Sequence, residues 1–193
     1  MAAGSARLEL MKVFLDFEAS SLSDRSYPIE IAWVFQDGRS ESHLIAPAPG
    51  WVDWDEAAEA IHGIAQATLV SDGEPHEVVA HRLVEALTGF DLFASAPSWD
   101  GKWLSGLLRA AALPRHLLRL RDIDEALRET ATEILRPVLS AARLDLEVHK
   151  IVAEANAGKS RQPAHRALAD ATAEYETWLR ARQAASDLLL AIG

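Results

Sequence analysis

The chain of 193 residues has no cysteine, which excludes disulfides, thiolate zinc sites and a cysteine nucleophile. Any metal site must then use carboxylates and histidines, a donor set that suits hard ions such as magnesium or manganese. No apolar run approaches the roughly 20 residues that cross a bilayer. Residues 1–11 carry an Arg and a Glu and lack the apolar core of a signal peptide, so a cytoplasmic protein is expected. Positive charge is short as well. Against 29 Asp+Glu stand 19 Lys+Arg, a formal charge of −10. That balance argues against wrapping long duplexes on a basic surface. It leaves open a nucleic-acid enzyme whose metal ions supply the local positive charge.

What is present is enough for a core. Hydrophobic residues make up 49% and charged residues 25%, an ordinary globular composition. The length suits a single domain over 1–193, with its core in about 10–180. Arginine in excess of lysine, with abundant alanine, reads as base-composition bias.

Residues 10–18, LMKVFLDFE, have the apolar density of a buried strand that ends in acids. Residues 29–36 and 40–46 read as two further strands around the turn Asp37-Gly38. Pro47, Pro49 and Gly50 break the pattern. A short helix follows, from Asp55 to near Gly63. Residues 74–87 form an amphipathic helix with Val78, Val79, Leu83 and Leu87 on one face. Residues 91–96 are a fourth strand, 102–112 a helix stopped by Pro114, and 117–121 a fifth strand. Residues 123–155 are mostly helical with a break near Pro137. Then come a polar loop, 156–163, and a long helix, 164–190. The pattern predicts an α/β fold with a mixed five-stranded sheet, antiparallel hairpin strands first and parallel crossovers after, flanked by helices. Sites in such sheets gather at the carboxyl ends of strands.

Asp16 and Glu18 are two apart at the end of the first strand, so both point to one face. Paired carboxylates repel unless a cation lies between them. Taken alone, the pair is equally a solvated strand end. Asp100 follows the fourth strand and by itself is best read as a helix N-cap. His165 and Asp170 open the last helix, where a charged first turn is the plain reading. Histidine is also the side chain best suited to general-base work. Together, Asp16, Glu18, Asp100 and Asp170 offer four carboxylates from three elements. That set matches a pair of divalent ions about 4 Å apart, as in-line phosphodiester cleavage needs.

The runs VFLDFEASSL, SWDGKWL and HRALADA resemble, in order and spacing, the three motifs of the DEDDh 3′-to-5′ exonucleases of the ribonuclease H-like superfamily, of the RNase T and proofreading-subunit type. Ile61-His62-Gly63-Ile64 resembles a recurring loop of the same family, and the likeness runs over about residues 10–179. The resemblance implies a ribonuclease H-like sheet. It implies two Mg2+ or Mn2+ on Asp16, Glu18, Asp100 and Asp170, with His165 as general base. Ala19, Ser20, Ser21 and Leu22 would line the pocket for the 3′-terminal nucleotide, through backbone groups and the Leu22 side chain. His62 would lie near that nucleotide's sugar or base. The implied activity is release of nucleoside 5′-monophosphates from single-stranded DNA or RNA.

There are three departures. Ala19-Ser20-Ser21 replaces the usual Thr-Thr-Gly, Ala96 stands where an asparagine is expected, and the chain is acidic for a binder of long polymers. None removes a metal ligand or the base, so an active enzyme is expected. Lys159, Arg161 and Arg166 flank the histidine and read equally as phosphate clamps or as solvated loop charges. The run NAGKS lacks the preceding glycine and strand of a phosphate loop. Trp33 and Trp99 are expected in the core.

Two other classes remain. One is a non-catalytic module of the same fold that binds nucleic acid or a protein. The other is a phosphodiesterase for dinucleotides or short oligonucleotides. Apolar helix faces from Ile123 onward allow a homodimer, and core packing explains them equally. No residue can be assigned to a 2′-hydroxyl contact, so DNA and RNA are not distinguished.

Overall fold

A computed structural model describes residues 10–158 and 164–192. Strand β1 (Lys12–Ala19) is buried along most of its length and β2 (Pro28–Phe35) along all of it. Near-continuous apolar runs of this kind belong to strands covered on both faces. β3 (Ser40–Ala46) is mostly exposed or half-buried. The turn between β2 and β3 puts Gly38 at φ +87°, a conformation that only glycine adopts without cost.

Three short strands complete the sheet: β4 (Glu74–Pro75), β5 (Asp91–Ala94) and β6 (Leu120–Asp122). Their order is β4-β3-β2-β1-β5-β6. β1 pairs antiparallel with β2 and parallel with β5, and β6 continues parallel on the far side. The helices are α1 (Glu56–His62), α2 (Gln66–Asp72), α3 (His76–Leu87), α4 (Pro97–Ala110), α5 (Ile123–Leu135), α6 (Ala141–Ala157) and α7 (Ala167–Ile192).

Alternation along β1 divides the core in two. Val13, Leu15 and Phe17 pack with residues of α3 and α4, such as Leu83 and Leu107. Phe14 points the other way, into a cluster formed by α5, α6 and α7 with Phe93. There its ring lies 5.7 Å from that of Trp178, whose indole N–H donates to the Thr130 hydroxyl at 2.8 Å. The sheet is thus covered on both sides, as its apolar central strands require. A smaller cluster of Tyr27, Ile29, Ile64 and Leu69 seats α1 and α2 beside the sheet.

The mixed sheet and its antiparallel start agree with the sequence expectation, and several details differ. The sheet has six strands rather than five, because Ile45 and Ala46 pair with Glu74 and Pro75. Proline has no N–H to donate, so such a strand can only stand at an edge. α3 therefore starts at His76 and not at Glu74. α2 was not anticipated, because it buries only Leu69 and so shows no apolar periodicity. α4 begins at Pro97, ahead of the expected Lys102; proline at the first helical position loses no hydrogen bond. This overturns the N-cap reading of Asp100, since the cap residue is Ala96. α6 continues to Ala157, into the expected polar loop.

Candidate active site

Asp16 and Glu18 share the β1 face of Phe14, the face that α7 covers. They stand at the carboxyl end of β1, beside the carboxyl end of parallel β5. Asp100 reaches the same place from the first turn of α4. Asp170 reaches it from the first turn of α7. One oxygen from each of Asp16, Glu18 and Asp170 lies within 4.8 Å of the others. All four acids line one cavity of about 590 Å³, with His165 on its wall.

The electrostatics follow from that crowding. Burial holds Asp16 well above the ordinary carboxylate range, and Asp100, Glu174, Glu18 and Asp170 push it further. Burial raises Glu18 from 4.5 to about 7, with Asp170 and Glu30 adding to the shift and Arg166 opposing it. Burial likewise raises Asp100 from 3.8 to about 7, against backbone hydrogen bonds from Ala96 and Phe17. Asp100 is 2% exposed, and its Oδ2 has no hydrogen-bond partner among the described residues. A buried carboxylate oxygen left orphaned in an acidic cluster is costly unless a cation completes it. An all-oxygen donor set of this kind fits a hard divalent ion.

His165 precedes α7 with φ +52°, a left-handed conformation that is uncommon outside glycine. The next residues anchor it. The Arg166 guanidinium donates to both Glu30 oxygens, at 3.1 Å and 2.7 Å, and the Ala167 N–H donates to Glu30 at 2.9 Å. Arg166 is therefore committed to Glu30, a partner 136 positions away that no local pattern announces. Register explains the arrangement: Glu30 lies directly opposite Glu18, so Arg166 relieves a cross-strand pair of like charges. Lys159 and Arg161 lie outside the described residues.

The remaining expected residues divide. Leu22 is 71% exposed and lines the cavity. Ala19, Ser20 and Ser21 are buried. The Ser20 hydroxyl accepts from the Tyr27 N–H, and the Ser21 hydroxyl donates to Asp53, so both side chains close the loop after β1. His62 is 5% exposed, and its Nδ1 accepts from the Ile64 N–H at 3.0 Å. That bond assigns the proton to Nε2, which has no partner among the described residues. Burial lowers the His62 pKa, so the ring is neutral near pH 7. Trp33 is fully buried as expected, whereas Trp99 is 36% exposed and lines the cavity, contrary to the core expectation.

Sequence reading missed Glu174. It lines the cavity at 5% exposure, one turn beyond Asp170, and accepts from the Ser95 N–H at 2.8 Å. A signal was available. Ala167, Ala171, Glu174, Trp178, Ala181 and Ala185 are the buried stripe of α7, spaced alternately by four and three, and Glu174 is its one charged member.

No protein-family model and no curated protein matches the chain. Solved structures do. Exonuclease I from Methylocaldum szegediense superposes with TM-score 0.64 at 19% identity, over 90% of this chain and 41% of that one. E. coli exonuclease I in complex with a dA16 oligonucleotide gives 0.63 at 18%, over 94% and 43%. The zinc-bound E. coli exonuclease I–ssDNA complex gives 0.61 at 19%, over 86% and 39%. The chain spans about two fifths of the length of these proteins. The chain has the ribonuclease H-like fold of these exonuclease I structures, and its own acids gather at the carboxyl end of β1.

Proposed function

We propose that the chain is a metal-dependent 3′-to-5′ exonuclease of single-stranded nucleic acid. One observation carries this reading. Asp16, Glu18 and Asp170 converge within 4.8 Å beside the orphaned Asp100 oxygen, in a cavity whose wall includes a histidine. Similarity to exonuclease I structures solved with oligonucleotides supports it.

Asp16, Glu18, Asp100 and Asp170 would hold two divalent ions, Mg2+ or Mn2+. Bound there, such ions neutralise phosphate charge and make water acidic near pH 7. His165 takes one proton from the attacking water. The water oxygen forms a bond to phosphorus, and the bond from phosphorus to the 3′-oxygen of the preceding nucleotide breaks. That oxygen gains a proton and becomes the new 3′-hydroxyl. The released nucleoside keeps its 5′-phosphate. Leu22, exposed at the cavity wall, packs on the terminal base, whereas His62 is buried off that wall and supports the loop behind it.

The test is digestion of 5′-labelled single-stranded DNA and RNA with Mn2+, Mg2+ or EDTA, beside Asp170→Asn. A metal-dependent ladder shortening from the 3′ end, absent in the variant, is expected. Intact polymers, with dinucleotides cleaved, would transfer the reading to a short-substrate phosphodiesterase. No cleavage of either would leave a binding module.

A further inference from the structure

Trp103 lines the catalytic cavity and also a second groove of about 610 Å³. The second groove runs between the loop that joins β1 to β2, the turn around Trp51, and the outer face of α4. No role proposed above uses it.

Its chemistry differs from the rest of the molecule. The chain carries a formal charge of −10, yet this groove collects Arg25, Lys102 and Arg109 against Asp24 and Glu77. Lys102 and Arg109 are seven apart on α4, so they lie on one helical face, with Gly106 between them. Lys102 Nζ is held by the Ser23 carbonyl at 2.6 Å and the Ser26 hydroxyl at 3.0 Å, and stands 4.8 Å from the Trp99 ring centre. Trp99 lines the first cavity. Cationic and aromatic surface is therefore continuous from one space to the next. Trp51, half-buried and stacked on Tyr27 at 5.1 Å, lies across the groove from α4.

Gly106 is the second observation. Glycine inside a helix is disfavoured relative to alanine. A Cβ at this position would meet nothing within 4 Å, so packing within the chain does not demand glycine. Gly106 leaves a bare floor between Lys102 and Arg109, and Ala110 extends it past Arg109. Such a floor lets a ligand backbone approach the helix.

We propose that this groove binds the nucleotides upstream of the scissile phosphate, so that the substrate is a single strand several nucleotides long and not a dinucleotide. The inference rests on the nuclease reading and deepens it. Phosphates lie along Arg25, Lys102 and Arg109, and the exposed part of Trp99 offers ring surface to a base.

The experiment measures anisotropy of labelled trinucleotide and dodecamer, as deoxy- and ribo-oligomers, with Ca2+ present. Wild type is compared with Gly106→Leu, Arg25→Ala and Arg109→Ala, with Arg128→Ala on α5 as control. Wild type should bind the dodecamer at least about tenfold tighter than the trimer, the scale of one or two stacked bases. Gly106→Leu, which fills the floor and favours the helix, should bring that ratio to about one without lowering Tm. Each arginine variant should reduce the salt slope of dodecamer binding by about one. Equal affinity of wild type for the two lengths, or an unchanged ratio in Gly106→Leu, overturns the groove. A parallel Mn2+ digestion separates the two readings. Cleavage without a length effect keeps the nuclease and rejects the groove, whereas a length effect abolished by Gly106→Leu without cleavage does the reverse.

Discussion

Glu30 on β2 closes a two-point ion pair with Arg166, the residue between His165 and the start of α7. The pair is lopsided. The Glu30 side chain is 5% exposed and the Arg166 side chain 53%. Removing Glu30 leaves an arginine that water can reclaim. Removing Arg166 leaves a buried carboxylate opposite Glu18. Arg166→Ala is therefore expected to cost about 3 kcal/mol of stability and Glu30→Ala roughly half that. Both should lower kcat by releasing His165 from its left-handed backbone. Thermal denaturation ranks the two, and Glu30→Ala as the worse variant would reverse the argument.

The metal-free protein should lose stability as pH rises. Glu18 and Asp100 have folded pKa values near 7, above 4.5 and 3.8. The folded state thus holds more protons than the unfolded state between about pH 4 and pH 7. The stabilisation they provide is complete below pH 4 and lost as pH rises through 7. Asp100 alone accounts for a change on the order of 4 kcal/mol. In EDTA, Tm should fall steadily from pH 5 to pH 8. Added Mn2+ should restore it most at the alkaline end. A flat Tm profile in EDTA would show that the acids are not in conflict.

Asp100→Asn should separate stability from activity. It removes a buried charge whose Oδ2 has no hydrogen-bond partner among the described residues. At pH 8 in EDTA the variant should melt several degrees higher than wild type. With Mn2+ its turnover should fall by at least about 100-fold through loss of a ligand. Coincident losses of Tm and turnover would instead make Asp100 structural.

Glu174→Gln keeps an acceptor for the Ser95 N–H and removes one negative charge that raises Asp16. Mn2+ affinity should drop about tenfold, the scale of a residue that supports metal ligands. Isothermal titration reads this directly. Unchanged affinity would confine Glu174 to anchoring the segment after β5.

Residues two apart on a strand share a face whatever surrounds them, so the pairing of Asp16 with Glu18 was legible from residue order alone. The hairpin turn at Asp37-Gly38 and the apolar density of β1 and β2 were legible for the same local reason, and with them the mixed sheet. The edge strand β4 and helix α2 were not, because their stability comes from partners distant in sequence, Ala46 for one and the Tyr27 cluster for the other. Convergence is also nonlocal. Sequence lists Asp100 and Asp170 as plausible surface acids of two helices, and only the placement of α4 and α7 at one end of β1 makes them neighbours of Asp16. Glu30 and the groove beside Gly106 belong wholly to tertiary structure, whereas Glu174 left a local trace as the one charged member of the buried stripe of α7. Burial changes what a charge costs, and burial is a property of the packed chain rather than of any segment of it.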